Sequence, residues 1–213
     1  MSFCPSLVVP VYNHGATVGA VVSALAVHQL PIYLVDDGSD SQTAIELDRI
    51  AAAQPLVHLI RRPVNGGKGA AVMSGFRAAA SDGCTHALQV DADGQHALTD
   101  VSRFLAAALE QQQRIICGVP QYDETVPRGR LYGRYATHVW VWIETLSLDI
   151  KDSMCGFRVY PLEPVMDLID GVALGKRMDF DIEILVRLHW RGIRPVSLAT
   201  RVTYPADGIS HFR

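Results

Sequence analysis

The chain has 213 residues, 49% of them hydrophobic and 19% charged, and its formal net charge is −3. That length favours a single folded unit able to bury roughly 70% of its unfolded surface without disulfide or metal staples. The near-neutral balance without a long basic run excludes nucleic acid as a main partner, and no run of about 20 apolar residues exists to span a bilayer.

Short apolar runs at 7–11, 32–35, 57–60, 87–90 and 115–119 predict buried strands. Between them, 17–28, 41–54, 68–81 and 98–113 predict helices, with Ser41 and Thr99 near helix starts and Pro55 just past a helix end. Strand–helix alternation with short links implies an α/β fold with a mostly parallel sheet covered on both faces. The second half breaks the pattern. Residues 128–148 read as a helix with Leu131, Tyr135, Val139, Trp142 and Leu146 on one stripe, widened by Trp140, Val141 and Ile143. Residues 151–160 have loop and strand character, 178–190 read as a helix and 199–204 as a last strand. The four cysteines (Cys4, Cys84, Cys117, Cys155) are far apart and form no CxxC pair. They read as reduced, mostly buried thiols, and no signal peptide precedes the first apolar run, so a cytoplasmic location is expected.

Ligands of open α/β sheets bind at the carboxyl ends of the strands. Four polar clusters fall at four consecutive predicted ends: Tyr12-Asn13-His14, Asp36-Asp37-Gly38-Ser39, Asn65-Gly66-Gly67-Lys68-Gly69, and Asp91-Ala92-Asp93-Gly94-Gln95-His96. Together they describe one crevice. In the fourth, Gly94 lets the chain turn so that Asp91 and Asp93 swing onto one hard cation, Mg²⁺ or Mn²⁺, which in turn suits a diphosphate. The competing reading is a turn with two solvated carboxylates. It is not a calcium loop, since Ser102 stands where the bidentate Glu belongs. Asp36 and Asp37 suit hydrogen bonds from a nucleobase or ribose, or an Asx turn that closes the strand. The glycine run offers backbone N–H groups and Lys68 to a phosphate, or is a plain turn before a helix; it is neither a P-loop nor a GxGxxG. Arg128, Arg130 and Arg134 suit a phosphate or an anionic lipid headgroup, or a solvated basic face. Trp and Tyr beside them suit a bilayer surface, although an aromatic stripe is more often core. Of Asp179, Asp181 and Glu183, the first and last share a helix face and Asp181 points elsewhere; each is a candidate base or a solvated acid.

Val8-Val9-Pro10-Val11-Tyr12-Asn13-His14, Leu34-Val35-Asp36-Asp37-Gly38-Ser39, the glycine run through Ala71 and Val90-Asp91-Ala92-Asp93-Gly94-Gln95-His96 together resemble family 2 glycosyltransferases of the GT-A fold. Asp152-Ser153-Met154-Cys155-Gly156-Phe157-Arg158 resembles the D-x-x-S/C-G-F-R segment of the polyprenyl- and dolichyl-phosphate sugar transferases, and Phe180-Asp181-Ile182-Glu183-Ile184-Leu185-Val186-Arg187 resembles their F-x-x-E-x-L helix. The similarity runs in order along essentially the whole chain.

The resemblance implies one catalytic domain over 1–213 with a Rossmann-like, mixed, mostly parallel sheet: a nucleotide-sugar-binding half (1–120) and an acceptor-binding half (121–213). It implies inverting transfer of a sugar from a UDP- or GDP-linked donor to a polyprenyl phosphate or other lipid-like acceptor, at or near the inner face of a membrane. Pro10, Tyr12, Asn13, Asp36, Asp37, Gly67, Lys68, Asp91 and Ala92 would then meet the nucleotide sugar, and Asp91, Asp93 and Gln95 would hold Mg²⁺ or Mn²⁺. Asp93, Arg128, Arg134 and Asp181 form the expected catalytic set, the arginines toward an acceptor phosphate. A hydroxyl acceptor would instead need Asp181 as base, and Phe180 stands where relatives with that chemistry carry Glu. A catalytically silent nucleotide-sugar scaffold is the non-enzymatic alternative. A phosphatase-like reading of Asp91-x-Asp93-Gly94 is weaker, because that loop normally opens its domain and has Thr or Val where Gln95 stands. The lipid-phosphate enzymes usually carry an Arg shortly before a G-x-S near this end; here Gly208-Ile209-Ser210 lacks it, so either His211 or Arg213 takes over the diphosphate contact or donor handling differs. The chain stops just after this segment, as a piece of a longer protein would.

Overall fold

A computed structural model describes residues 2–121 and 128–202, and of residues 128–132 the backbone only. Seven strands form one sheet: β1 (Pro5–Val11), β2 (Ile32–Asp36), β3 (Val57–Arg61), β4 (His86–Gln89), β5 (Ile115–Gln121), β6 (Arg158–Pro161) and β7 (Pro195–Arg201), in the order β3-β2-β1-β4-β6-β5-β7. β6 runs antiparallel to both of its neighbours, whereas β1, β2, β3 and β4 pair in parallel, as do β5 and β7. The helices are α1 (Gly15–Ala26), α2 (Ser41–Ala53), α3 (Lys68–Ser81), α4 (Val101–Glu110, after a 3-10 turn at Leu98–Asp100), α5 (Arg128–Thr145), α6 (Leu162–Gly171) and α7 (Phe180–Trp190). The mixed, mostly parallel α/β sheet matches the expectation.

Two apolar layers explain why the central strands read as unbroken hydrophobic runs. Leu7, Val9 and Val11 of β1 face Val18, Val22 and Leu25 of α1 and Phe104 of α4. Val8 faces the opposite layer with Val72 and Phe76 of α3 and Ile184 of α7. A strand buried on both faces has no polar side to show. Three of the four cysteines are buried, and all four are unpaired thiols.

The second half departs from expectation at three places. Helix α6 is not among the predicted elements; Pro164 lies in its first turn, where the missing N–H breaks no helical bond. Among the described residues the last strand is Pro195–Arg201, which starts ahead of the expected 199–204; residues 203 and 204 lie outside the described residues. Helix α5 buries His138, Val141 and Thr145, while Tyr135, Val139 and Leu146 of the expected stripe are exposed. Its inner face is polar because it packs on Asp152 and Ser153, so counting apolar residues selects the wrong side.

Candidate active site

Parallel pairing brings the carboxyl ends of β1 to β4 to one edge, and the antiparallel β6 starts at that same edge. The segments at 12–14, 36–39, 62–68, 90–96 and 152–157 therefore converge.

The turn after β4 is built from its own residues. Asp93 Oδ1 accepts the Gln95 N–H at 3.0 Å, Gly94 turns the chain at φ +74°, and the Ala92 carbonyl accepts Thr17 Oγ1 at 2.7 Å. Asp91 lies at the base of the turn. Lys68 Nζ, from the first residue of α3, donates to Asp91 Oδ2 at 2.9 Å and sits 2.8 Å from Oδ1. The same ammonium is 2.8 Å from Asp181 Oδ2, and Gln89 Nε2 donates to the other Asp181 oxygen at 3.0 Å. Asp181 is thus buried with both carboxylate oxygens held, 2% exposed. His96 Nε2 lies 3.5 Å from Asp91, its ring stacked on Phe157. Burial opposes the charge of Asp91, but Lys68 and His96 outweigh it and hold the carboxyl well below its usual range. Burial likewise opposes the Lys68 ammonium, and the Asp181 and Asp91 carboxylates reverse that and keep it charged.

Arg158 lies beneath this group, fully buried. It donates to the Asp181 carbonyl and to Tyr160 Oη, while its Nε and Nη2 and the Oε1 of Gln89, its cross-strand partner, lack hydrogen-bond partners. Neither Gln89 nor Arg158 is among the candidate site residues, although Arg158 closes the D-x-x-S/C-G-F-R segment. The available signal was a polar residue within a buried run, which a fold keeps only with a partner or a task.

The glycine run does not present an open phosphate nest. Gly66 and Gly67 N–H donate to the Asp37 carboxylate, and Gly69 and Ala70 N–H donate to the carbonyls of Arg177 and Lys176. Lys68 is turned to Asp91 and Asp181. In this structure these N–H groups and Lys68 meet protein partners, as in the plain-turn alternative, and the run is a joint between the β2 end and the segment that leads into α7. Asp37 is further bound by Arg62 Nε at 2.7 Å, which fills the carboxylate meant for a nucleobase. Asp36 pairs with Arg61 at 2.7 Å and accepts the Ser39 N–H, so it closes the strand end as the Asx-turn reading had it. Pro10 is buried in β1. Asn13, at φ +57°, ties the β1 turn to the β2 turn through Ser39 Oγ and the Asp40 N–H. Tyr12 offers its ring, 41% exposed, at the mouth. Of the α7 acids, Glu183 binds the Gly175 N–H and Arg187, and Asp179 binds the Arg177 N–H.

Arg134 grips Asp152 with two parallel bonds of 2.7 Å. Asp152 also accepts Met154 and Cys155 N–H and lies 3.4 Å from His138. The side chain of Arg128 and all of His211 and Arg213 lie outside the described residues. Burial opposes the charge on Asp152, but His138, Arg134 and the Cys155 N–H prevail and bring its carboxyl to about 2. A depressed carboxyl stabilises the fold above its unfolded value and loses that contribution as pH falls through the folded one. Asp152 therefore supplies about 2 kcal/mol near neutrality, fading between about pH 4 and pH 2. Urea unfolding of Asp152→Asn is expected to show a loss of about 2 to 4 kcal/mol at pH 6 and one about 1 kcal/mol smaller at pH 3. An equal loss at both would contradict this.

The donors on the β4 turn, two carboxylates and a carboxamide, suit a hard divalent ion, and both Asp91 oxygens are held by the Lys68 ammonium. Among the described residues no three His, Cys, Asp or Glu side chains converge on one point.

Residues 6–165 match the family model described as glycosyl transferase family 2. The chain belongs to that family. The glycosyltransferase is 28% identical to polyprenol monophosphomannose synthase of Mycolicibacterium smegmatis, over 96% of this chain and 79% of the relative. It is 26% identical to undecaprenyl-phosphate mannosyltransferase of Micrococcus luteus, over 81% of this chain and 74% of the relative. In fold it resembles mannosyltransferase PcManGT of Pyrobaculum calidifontis in complex with GDP-Man and Mn²⁺, with a TM-score of 0.67, 14% identity and coverage of 98% of this chain and 59% of that one. TarS of S. aureus in complex with UDP superposes with a TM-score of 0.63 at 16% identity, over 94% of this chain and 61% of that one. The glycosyltransferase thus has the GT-A architecture, and it spans about three-fifths of the length of these solved structures.

Proposed function

We propose that this glycosyltransferase moves a sugar from a nucleotide diphosphate sugar, UDP- or GDP-linked, to a polyprenyl phosphate or similar lipid phosphate, with inversion at the anomeric carbon. One observation carries the choice of acceptor. Asp181, the carboxylate a hydroxyl acceptor would need as base, is buried and has both oxygens held by Gln89 and Lys68. A base must reach the proton it takes. A phosphate oxygen is already ionised and needs none, and the names of the relatives from M. smegmatis and M. luteus support the same acceptor class.

In this reading the phosphate oxygen attacks the anomeric carbon as the bond to the nucleotide diphosphate breaks, and the electron pair leaves on the diphosphate. Asp91, Asp93 and Gln95 would hold Mg²⁺ or Mn²⁺, which supplies Lewis-acid stabilisation of that leaving charge. Tyr12 offers its ring to the nucleotide at the mouth. Arg128 and Arg134 are assigned to the acceptor phosphate, with Asp152 fixing the orientation of Arg134.

UDP- and GDP-sugars incubated with a short-chain polyprenyl phosphate and Mn²⁺ are expected to yield a lipid-linked sugar with one of the two nucleotides. At saturating Mn²⁺, Asp181→Asn is expected to stay within about tenfold of the parent rate, against the 10²–10⁴-fold loss of a missing base. Transfer to alcohols alone, abolished by Asp181→Asn, would overturn the assignment.

Contact with a membrane surface is part of the proposal. Tyr135, Val139, Trp140 and Ile143 of α5, with Leu146, Leu148 and Trp190 at its far end, form an exposed apolar flank that starts beside Arg134. Lys151 and Arg194 lie next to Leu148, where anionic headgroups would meet them. Among the described residues no helix is long and apolar enough to cross a membrane. Changing Trp140 and Leu146 together to Ser is expected to weaken sedimentation with anionic vesicles by about 100-fold or more, since burying each such side chain is worth about 1.5 to 3 kcal/mol. Undiminished sedimentation would remove this surface from the proposal.

A further inference from the structure

The Lys68 ammonium occupies the place where a cation would approach Asp91. It is 2.8 and 2.9 Å from the two Asp91 oxygens, 2.8 Å from Asp181, and largely buried. A divalent ion arriving alone at Asp91 meets this fixed positive charge in a partly desolvated site, where charges a few ångströms apart interact strongly. To bind, it must draw Asp91 from the lysine and leave the ammonium to Asp181 alone. A nucleotide diphosphate arriving with the ion carries negative charge that offsets the repulsion.

We propose that Lys68 is a built-in counter-cation that holds Asp91 closed to a free ion, so that ion and nucleotide diphosphate enter as a unit. The proposal rests on the reading of Asp91 as an ion ligand. It concerns the order and coupling of binding. Asp181 and Gln89 set how firmly the lysine is shared: Asp181 draws it away from Asp91, and Gln89 fixes Asp181.

The geometry predicts opposite responses from two neutral replacements. Lys68→Gln removes the rival charge and leaves Asp91 and Asp181 uncompensated, so Mn²⁺ alone is expected to bind at least about tenfold more tightly. Asp181→Asn removes the competing carboxylate and gives the lysine wholly to Asp91, so Mn²⁺ alone is expected to bind severalfold more weakly. Gln89 accommodates the new carboxamide by rotating its own, since its Oε1 lacks a hydrogen-bond partner. Lys68→Arg keeps the charge and is expected to keep the weak binding of the parent.

Mn²⁺ binding is read by electron paramagnetic resonance titration of the whole chain, with Mn²⁺ alone and with UDP or GDP present. The parent is expected to bind Mn²⁺ poorly alone and tightly with one nucleotide, and this coupling is expected to shrink in Lys68→Gln. If Lys68→Gln does not tighten Mn²⁺ binding while the parent still takes ion and nucleotide together, the proposal fails and the ion site stands. If both variants weaken binding alike, Lys68 is a structural tie only and the proposal fails. If the parent takes no ion even with nucleotide, the ion site and the proposal fall together. Should Lys68→Gln not fold, Asp181→Asn decides: unchanged or tighter binding of Mn²⁺ alone overturns the inference.

Discussion

Asp91→Asn is expected to lower sugar transfer by about 10³-fold at saturating donor, acceptor and Mn²⁺. Lewis-acid stabilisation of a leaving diphosphate is worth several kcal/mol, and about 1.36 kcal/mol corresponds to each factor of ten. The carboxamide keeps an oxygen donor but lacks the negative charge that makes Asp91 a strong ligand for a hard ion. The change also leaves Lys68 with Asp181 as its one remaining carboxylate partner, so the ammonium shifts toward α7 and a positive charge faces the vacated position. The loss should therefore not be repaired by excess Mn²⁺. Turnover of the variant at more than about a tenth of the parent, still dependent on Mn²⁺, would remove Asp91 from the ion site.

Gly67→Ala is expected to destabilise the fold by about 3 kcal/mol or more, read as a lower urea midpoint with unchanged slope. Two costs combine. The residue has φ +96°, where a side chain is strained by about 1 kcal/mol. Its Cβ would also stand 2.5 Å from the Lys176 carbonyl oxygen and 3.0 Å from Arg177 Cα, both of which are backbone and cannot swing aside. Relief requires the segment before α7 to retreat, which breaks the Ala70–Lys176 and Gly69–Arg177 hydrogen bonds and shifts Asp181. Gly83→Ala is the control. It has a similar φ of +83° with nothing within 4 Å of the added Cβ, so only the conformational cost of about 1 kcal/mol applies. Equal losses for the two would show that the close approach at Gly67 is unimportant.

The first half of this fold was readable because its central strands β1, β2 and β4 are buried on two faces and its helices on one, so composition and period agree. The run at Lys68–Ser81 was placed correctly from its glycines and small residues alone. The crevice was readable too, since parallel strands bring their carboxyl ends to one edge. What failed was the fate of polar groups. The glycine run has the composition of a phosphate loop, and composition does not reveal that the Asp37 carboxylate and the Lys176 and Arg177 carbonyls already use its N–H groups. Lys68 reads as a phosphate contact for the same reason. Arg134 reads as a free cation until Asp152 is found against it. On α5 the apolar stripe pointed outward, because the inner positions serve a buried ionic cluster that no periodicity encodes. In each case the missing information was a partner distant in sequence.

The insertion of β6 between β4 and β5 has a consequence for how this chain can be synthesised. A ribosome delivers β1 to β4 as a contiguous parallel block that can pair as it emerges. β5 comes next, yet its place in the sheet is one strand removed from β4, and the strand that fills the gap starts 37 residues after β5 ends. β5 must therefore wait with an unpaired edge until Arg158–Pro161 arrives. The two halves are interleaved rather than joined end to end. Separate fragments cut near residue 121 should be insoluble or unfolded alone and regain a sheet only when mixed. The slow step of folding should then be the closing of this gap, a non-local pairing of the kind that limits rates in β-rich topologies.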